Sequence, residues 1–165
     1  MSRTSWWASK VRQLGAHLVA RVSARERDEL AAWLRPAELQ LFDAMHVADR
    51  RHGLDVVTSL RAEGVSDPEV LLAGLLHDAG KGDTGVWPRV VYALGRAYGS
   101  WLWRGVGWLP GMHRSLERLR DHAEVSARLA ADAGCPARTV ELIRHQESPR
   151  DREFGELLRL ADDAN

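Results

Sequence analysis

The sequence predicts an all-α helical bundle, and three observations support this. Apolar residues recur at spacings of three and four along most of the 165 residues, and no alternating run is long enough to indicate a strand. Glycine and proline punctuate the apolar stretches, as they do at helix ends. The length fits one domain, because a helical bundle of this size can bury a core.

The first four helices are predicted from their apolar stripes and their ends. They are expected at residues 7–22, 36–45, 50–63 and 69–79. Gly64 can supply the left-handed stop after the third helix. Asp67 and Pro68 form an N-cap and a first position for the fourth, which is apolar nearly all round and is therefore expected to be buried.

The second half of the chain continues the helical pattern. A Trp-rich stripe covers residues 87–102 and leads into a glycine- and proline-containing turn at 105–111, and further helices are predicted at 114–133, 137–146 and 154–162. We therefore expect an amphipathic extension over residues 1–35, packed on a main domain over residues 36–165. Residues 84–112 are expected to form a Trp-rich helical insertion or lid.

Composition limits the classes of function. Equal numbers of basic and acidic residues, 23 of each, give no bulk field that would favour nucleic-acid binding. Cys135 is the single cysteine, which excludes an internal disulfide and fits a reducing cytoplasm. No signal-peptide core and no transmembrane run is present, so a cytoplasmic protein is expected. Residues 1–25 and 84–116 are basic and lack acids, and could face phosphates or anionic lipid.

Six polar residues stand at helix ends or inside apolar helices and are candidate metal ligands. They are His52, His77, Asp78, His122, His145 and Asp162. Neutral imidazole and carboxylate form the mixed nitrogen and oxygen set that suits iron, manganese, zinc or nickel rather than calcium. Helical bundles build such sites from side chains that project inward from different helices.

His77 and Asp78 directly follow the most apolar predicted helix. A charged and a titratable residue at that place cost several kcal/mol unless partners or a metal compensate. Adjacent residues on a helix diverge by about 100°, but a helix terminus next to Gly80 relaxes this limit. Asp78 is therefore a candidate for a ligand that bridges two ions.

The order His52, His77-Asp78, Asp162, with the local run AGLLHDAGK at 73–81, resembles the HD superfamily of metal-dependent phosphohydrolases. The resemblance runs from about His46 to the C-terminus, and implies an HD-domain helical bundle. His122 and His145 are similar to the extra histidines of its binuclear branches. The Gly-Tyr-Pro signature of the HD-GYP cyclic-dinucleotide phosphodiesterases is absent, so cyclic di-GMP is not the leading substrate.

The resemblance implies hydrolysis of a phosphoester or phosphoanhydride in a nucleotide or similar small phosphorylated molecule. One or two divalent ions (Fe, Mn, Zn, Ni or Mg) would activate the attacking water. Asp78 and Lys81 would be catalytic, with Lys81 also binding phosphate. Arg144 could add bidentate contacts to the substrate, and Glu124 or Glu147 could orient a histidine.

Several alternatives stay open at this point. Asp163 competes with Asp162 for the last ligand position; helix phase decides between them, and the resemblance favours Asp162. His17, His46 and His113 are interpreted as surface or helix-end residues. The rival functions are a non-catalytic HD module that binds a nucleotide or a partner, and a peripheral membrane protein that uses the Trp7 stripe and the region 87–108.

Overall fold

The computed structural model describes residues 20–82, 84–99, 101 and 111–165, and within these ranges the regular structure is helical, which confirms the all-α class. The helices are α1 (Ala24–Ala31), α2 (Pro36–Ala44), α3 (Val47–Ala62), α4 (Pro68–Leu76), α5 (Val86–Tyr98), α6 (Met112–Arg120), α7 (His122–Asp132), α8 (Ala137–Arg144) and α9 (Phe154–Ala164), and a 3-10 turn covers Ala79–Lys81. No helix in the described part has both the length and the apolar character needed to cross a bilayer.

Most predicted helices are found within a few residues of their expected ends. Those expected at 36–45, 50–63, 69–79, 137–146 and 154–162 correspond to α2, α3, α4, α8 and α9. The helix expected at 7–22 falls almost wholly on residues 1–19, outside the described ranges. Gly64 adopts a φ of 84° just after α3, which confirms it as the left-handed stop, and Gly134 adopts a φ of 77° just after α7.

Two of the predicted helices differ from the observed structure: one is divided into two helices and the other ends earlier. Both differences involve candidate site residues. The helix expected over 114–133 is divided at Asp121, because the ring of His122 takes the Leu119 carbonyl that a continuous helix would use internally. The helix expected over 69–79 ends at Leu76, and the chain passes through His77 and Asp78 into the 3-10 turn.

Helix α4 is the centre of the molecule. Every residue of its stretch 70–76 is buried, and α3, α8 and α9 pack around it. Helices α3 and α4 cross closely at Gly53, since a Cβ added there would lie only 2.4 Å from the Leu75 carbonyl oxygen. Only glycine allows the two backbones to approach in this way, and this approach brings His52 of α3 towards the C-terminal end of α4.

The first described helix, α1, was not predicted. Ser23 and Glu26 form a capping box, in which the Ser23 backbone N–H donates to Glu26 Oε2 (2.9 Å) and the Glu26 N–H donates to Ser23 Oγ (3.2 Å). Leu30 and Leu34 are buried in the same core as α4. The described half of the expected extension therefore packs on the main domain.

The Trp-rich segment is tied to the core at its beginning. Arg89 of α5 donates two hydrogen bonds to Asp49 of α3, at 2.6 and 2.8 Å, and a third to the Thr84 carbonyl at 3.0 Å. Asp49 is buried, so this bidentate pair is shielded from solvent. The pair fixes where α5 leaves the 3-10 turn.

Candidate metal centre

His52, His77 and Asp162 come from three elements and form a group that could hold a metal ion. His52 lies on α3, His77 at the C-terminal end of α4, and Asp162 in the last turns of α9. One potential ligand atom from each lies within 4.8 Å of the others. His52 Nε2 donates to Asp162 Oδ1 at 2.8 Å, and His77 Nε2 is 3.3 Å from the same oxygen.

Asp78 adds a second carboxylate to this group. Because α4 has ended, the side chains of His77 and Asp78 face the same point, with His77 Nε2 3.5 Å from Asp78 Oδ1. Asp78 Oδ2 is 4.0 Å from His52 Nε2, and Asp78 Oδ1 is 3.7 Å from His122 Nε2. The carboxylate thus lies between the three-residue group and His122, the position expected of a bridging ligand.

Two of the histidine rings have a defined tautomer. Since a carbonyl can only accept, Nδ1 of His77 carries a proton and donates it to the Gly74 carbonyl at 2.9 Å. In the same way, Nδ1 of His122 donates to the Leu119 carbonyl at 2.7 Å. In each neutral ring, Nε2 therefore presents its lone pair towards Asp78, the arrangement that metal-binding histidines use.

The residues present fit a cation. His77 Nε2 and Asp78 Oδ1 are both buried and have no hydrogen-bond partner in the described part of the chain. When His77 is neutral, these two atoms are unsatisfied buried acceptors that face each other, which is costly, and either a shared cation or a proton on Nε2 removes that cost. The donor set of imidazole nitrogen and carboxylate oxygen suits transition metals.

Without a metal, the negative charge of the group attracts a proton to His77. Burial lowers the pKa of His77, but the carboxylates of Asp78 and Asp162 outweigh burial and raise it to about 9. Burial likewise raises the pKa of each carboxyl, yet the surrounding imidazoles and Lys81 bring the pKa of Asp78 and of Asp162 below the ordinary value. Both acids are therefore ionised at neutral pH.

Lys81 neutralises the far side of Asp78. Its Nζ donates to Asp78 Oδ2 across the 3-10 turn. Burial lowers the pKa of Lys81, but the carboxylates of Asp78 and Asp49 raise it above its ordinary value, so the ammonium stays charged. Asp78 Oδ1 is left as the oxygen that faces His77 and His122.

Asp162 and Asp163 are separated by helix phase. Asp162 faces His52 and His77 with its side chain 40% exposed, whereas Asp163 Oδ2 accepts from Arg159 Nη1 at 2.7 Å with its side chain 65% exposed. Of the two carboxylates that the sequence left open, Asp162 is therefore the one that lies in the candidate group with His52 and His77.

The remaining expected residues are placed differently. His145 does not join the three-residue group, and its buried Nε2 lies 3.6 Å from Glu141 Oε2. His145 is one of the residues that line a separate cavity of about 320 Å³. Arg144 is engaged by two carboxylates, those of Glu124 and Glu141, each at 3.0 Å. Glu124 therefore accepts a hydrogen bond from Arg144, and among the described residues it has no hydrogen bond to a histidine that it could orient.

Some residues that support the site were not found from the sequence. Gln146 Nε2 donates to the His77 carbonyl at 3.2 Å, and Ser126 Oγ accepts from the Gly80 N–H at 2.8 Å. A Cβ at Gly80 would lie 2.4 Å from the His122 carbonyl oxygen, so the 3-10 turn lies directly against the start of α7. These contacts join distant segments, and no local pattern signals them.

Comparison of this chain with models of known protein families, with curated proteins and with solved structures found no match. The geometry described above therefore provides the structural basis for the functional argument.

Proposed function

We propose that this protein is a metal-dependent phosphohydrolase of the HD type, acting on a phosphoester or phosphoanhydride of a nucleotide or similar small molecule. The observation that carries the proposal is the pair of buried, unpartnered atoms His77 Nε2 and Asp78 Oδ1, beside His52 and Asp162. The motif order in the sequence, which resembles that superfamily, is consistent with this geometry.

The proposed first ion is held by His52, His77, Asp78 and Asp162. When bound, a divalent cation supplies Lewis-acid charge for a phosphoryl oxygen and a nucleophile from water near neutral pH. The chain's own residues position it: the Gly74 carbonyl holds the His77 ring, and Lys81 holds Asp78. His122 lies next to Asp78 and is the proposed beginning of a second subsite, for which His145 stays a prediction.

Lys81 is proposed to bind the substrate phosphate as well. Its ammonium is charged and its side chain is 23% exposed, so an incoming phosphate could share the ammonium with Asp78. Arg144 is the weaker of the two expected phosphate ligands, because Glu124 and Glu141 already accept from its guanidinium.

The test is phosphate release by the full chain after reconstitution with Mn²⁺, Fe²⁺ or Zn²⁺, using a panel of nucleoside mono-, di- and triphosphates and dinucleotides. Asp78→Ala should lower the rate at least about 100-fold, as expected when a metal ligand is removed. Asp163→Ala, one residue from a proposed ligand but paired with Arg159, should keep the rate. Equal rates in the two variants, or no release by the wild-type chain with any of the metals, would overturn the proposal.

A further inference from the structure

Large apolar side chains are exposed on one segment of the molecule. In the described part of the chain, the large exposed hydrophobic residues are Trp87 (75%), Tyr98 (42%), Trp101 (60%) and Leu160 (50%). The first three belong to α5 and the residues directly after it, whereas Leu160 lies on α9. Exposed aromatic residues that cluster in this way mark an interaction surface.

The helical spacing places several of the large apolar side chains on one face of α5. Trp87, Leu94 and Tyr98 lie seven and eleven positions apart, close to whole numbers of helical turns. Leu94 is only partly buried, so the core does not cover this face. Trp101 follows the end of α5, and its Nε1 donates to the Tyr98 carbonyl at 3.2 Å. We call the surface formed by Trp87, Leu94, Tyr98 and Trp101 the aromatic face.

The segment that carries the aromatic face has basic residues and no acidic residue in its sequence. From Thr84 to Leu116 the sequence contains arginines at 89, 96, 104 and 114 and no acidic residue. Arg89 is paired with Asp49, and Arg114 is exposed on α6, the helix that packs against α5. By sequence the segment carries a net positive charge, of which Arg114 is an exposed member.

We propose that the aromatic face docks on an anionic lipid bilayer. Trp and Tyr are the residues that favour the headgroup level of a membrane, and an amphipathic helix with arginines and without acids lies in the plane of such a surface. A protein partner for this face would need matching acids, whereas the headgroups of an anionic bilayer supply them at every position. The bidentate pair between Arg89 and Asp49 attaches the first turns of α5, where Trp87 lies, to α3.

This inference stands apart from the proposed function, because none of its residues is a proposed metal ligand. If the protein bound vesicles but hydrolysed no phosphate compound, the proposed phosphohydrolase function would be overturned and the proposed docking surface would be supported. If the protein hydrolysed phosphate compounds but did not bind vesicles, the docking surface would be overturned and the proposed function would be supported.

The test is flotation of the full-length chain with vesicles of phosphatidylcholine and phosphatidylglycerol, compared with vesicles of phosphatidylcholine alone. The wild-type chain should float with the anionic vesicles, and the bound fraction should fall as salt is raised. The double variant Trp87→Ser, Tyr98→Ser should bind at least about tenfold more weakly. Arg114→Gln should bind about fivefold more weakly, the loss expected for one basic residue near an anionic surface.

Leu160→Ser is the matched control, since Leu160 is comparably exposed but lies on another helix, and it should float as the wild type does. Failure of the wild-type chain to float with the anionic vesicles would overturn the proposal. Flotation unaffected by the double variant, or equal on both kinds of vesicle, would also overturn it.

Discussion

The ring of His77 is held so that its single free nitrogen meets two carboxylates. The Gly74 carbonyl takes the Nδ1 proton, which leaves Nε2 3.3 Å from Asp162 and 3.5 Å from Asp78. A lone pair facing two anions is repelled, so Nε2 requires either a proton or a metal ion. Proton and metal therefore compete for the same atom.

This competition predicts how metal affinity depends on pH. Because the pKa of His77 is raised to about 9, the metal-free ring is protonated at neutral pH and a cation must displace that proton. We expect the affinity to fall about tenfold for each pH unit below 9, with release of about one proton per ion. Calorimetric titration in buffers of different ionisation enthalpy measures both quantities. An affinity that does not change between about pH 6 and 8 would contradict the assignment of His77.

The stability of the metal-free protein should fall as the pH rises, whereas its affinity for metal should increase. A raised pKa for His77 means that the folded state binds the proton more tightly than the unfolded state, whose value is near 6.5. The stabilisation is complete below about pH 6.5 and is lost as the pH rises through about 9. Thermal unfolding in the presence of a chelator checks this sign.

At the scale of helices, the site depends on two close backbone contacts. Gly53 lets α3 cross α4 beside Leu75, and Gly80 lets the 3-10 turn rest against α7. The first contact brings His52 to His77, with ring centroids 5.2 Å apart, and the second brings Asp78 to His122. Each glycine therefore sets a distance between proposed ligands.

Gly53→Ala should separate α3 from α4. The added Cβ would lie 2.4 Å from the Leu75 carbonyl oxygen, and backbone cannot yield as a flexible side chain can. We expect a loss of about 1–3 kcal/mol in the free energy of unfolding, together with weaker metal binding because His52 moves away from His77. Urea unfolding and metal titration measure the two effects.

Thr58→Ala, an exposed position on the same helix, is the control and should change stability by no more than about 0.5 kcal/mol. If Gly53→Ala matched this control in both measurements, the close crossing would not be what positions His52.

The elements also show what the sequence could and could not predict. Helices such as α2, α3 and α4 follow from local periodicity and from stops such as Gly64, which act within a few residues. The break at Asp121 was missed because it depends on the ring of His122 competing for a carbonyl within an otherwise continuous amphipathic pattern. Helix α1 carried a readable signal, the Ser23 and Glu26 capping box, in a stretch with a weak apolar stripe.

At the scale of the whole molecule, four distant segments meet at one point. His52, the pair His77 and Asp78, His122 and Asp162 are spread over 111 residues of sequence, and α4 lies at the centre of the helices that carry them. Residue type and helix-end position predicted the set, but long-range packing determines which members meet. For that reason His145 could be proposed from the sequence, whereas its position beside Glu141 could not.

A bound ion should stabilise the entire fold, because it joins α3, α4 and α9. An ion present at a hundred times its dissociation constant adds about 2.7 kcal/mol, which corresponds to a rise of roughly 5–10 °C in Tm for a chain of this size. Differential scanning calorimetry with and without metal measures the shift. Asp78→Ala should abolish the rise, and an equal rise in that variant would place the ion elsewhere.

The most direct test of the metal centre compares two neighbouring carboxylates. Titration of the metal-free chain with Mn²⁺ or Zn²⁺ should give a dissociation constant at least about 100-fold weaker for Asp162→Asn than for the wild type. Asp163→Asn, which alters the pair with Arg159 and none of the proposed ligands, should bind as the wild type does. Equal affinity in all three proteins would contradict a metal centre built on His52, His77 and Asp162.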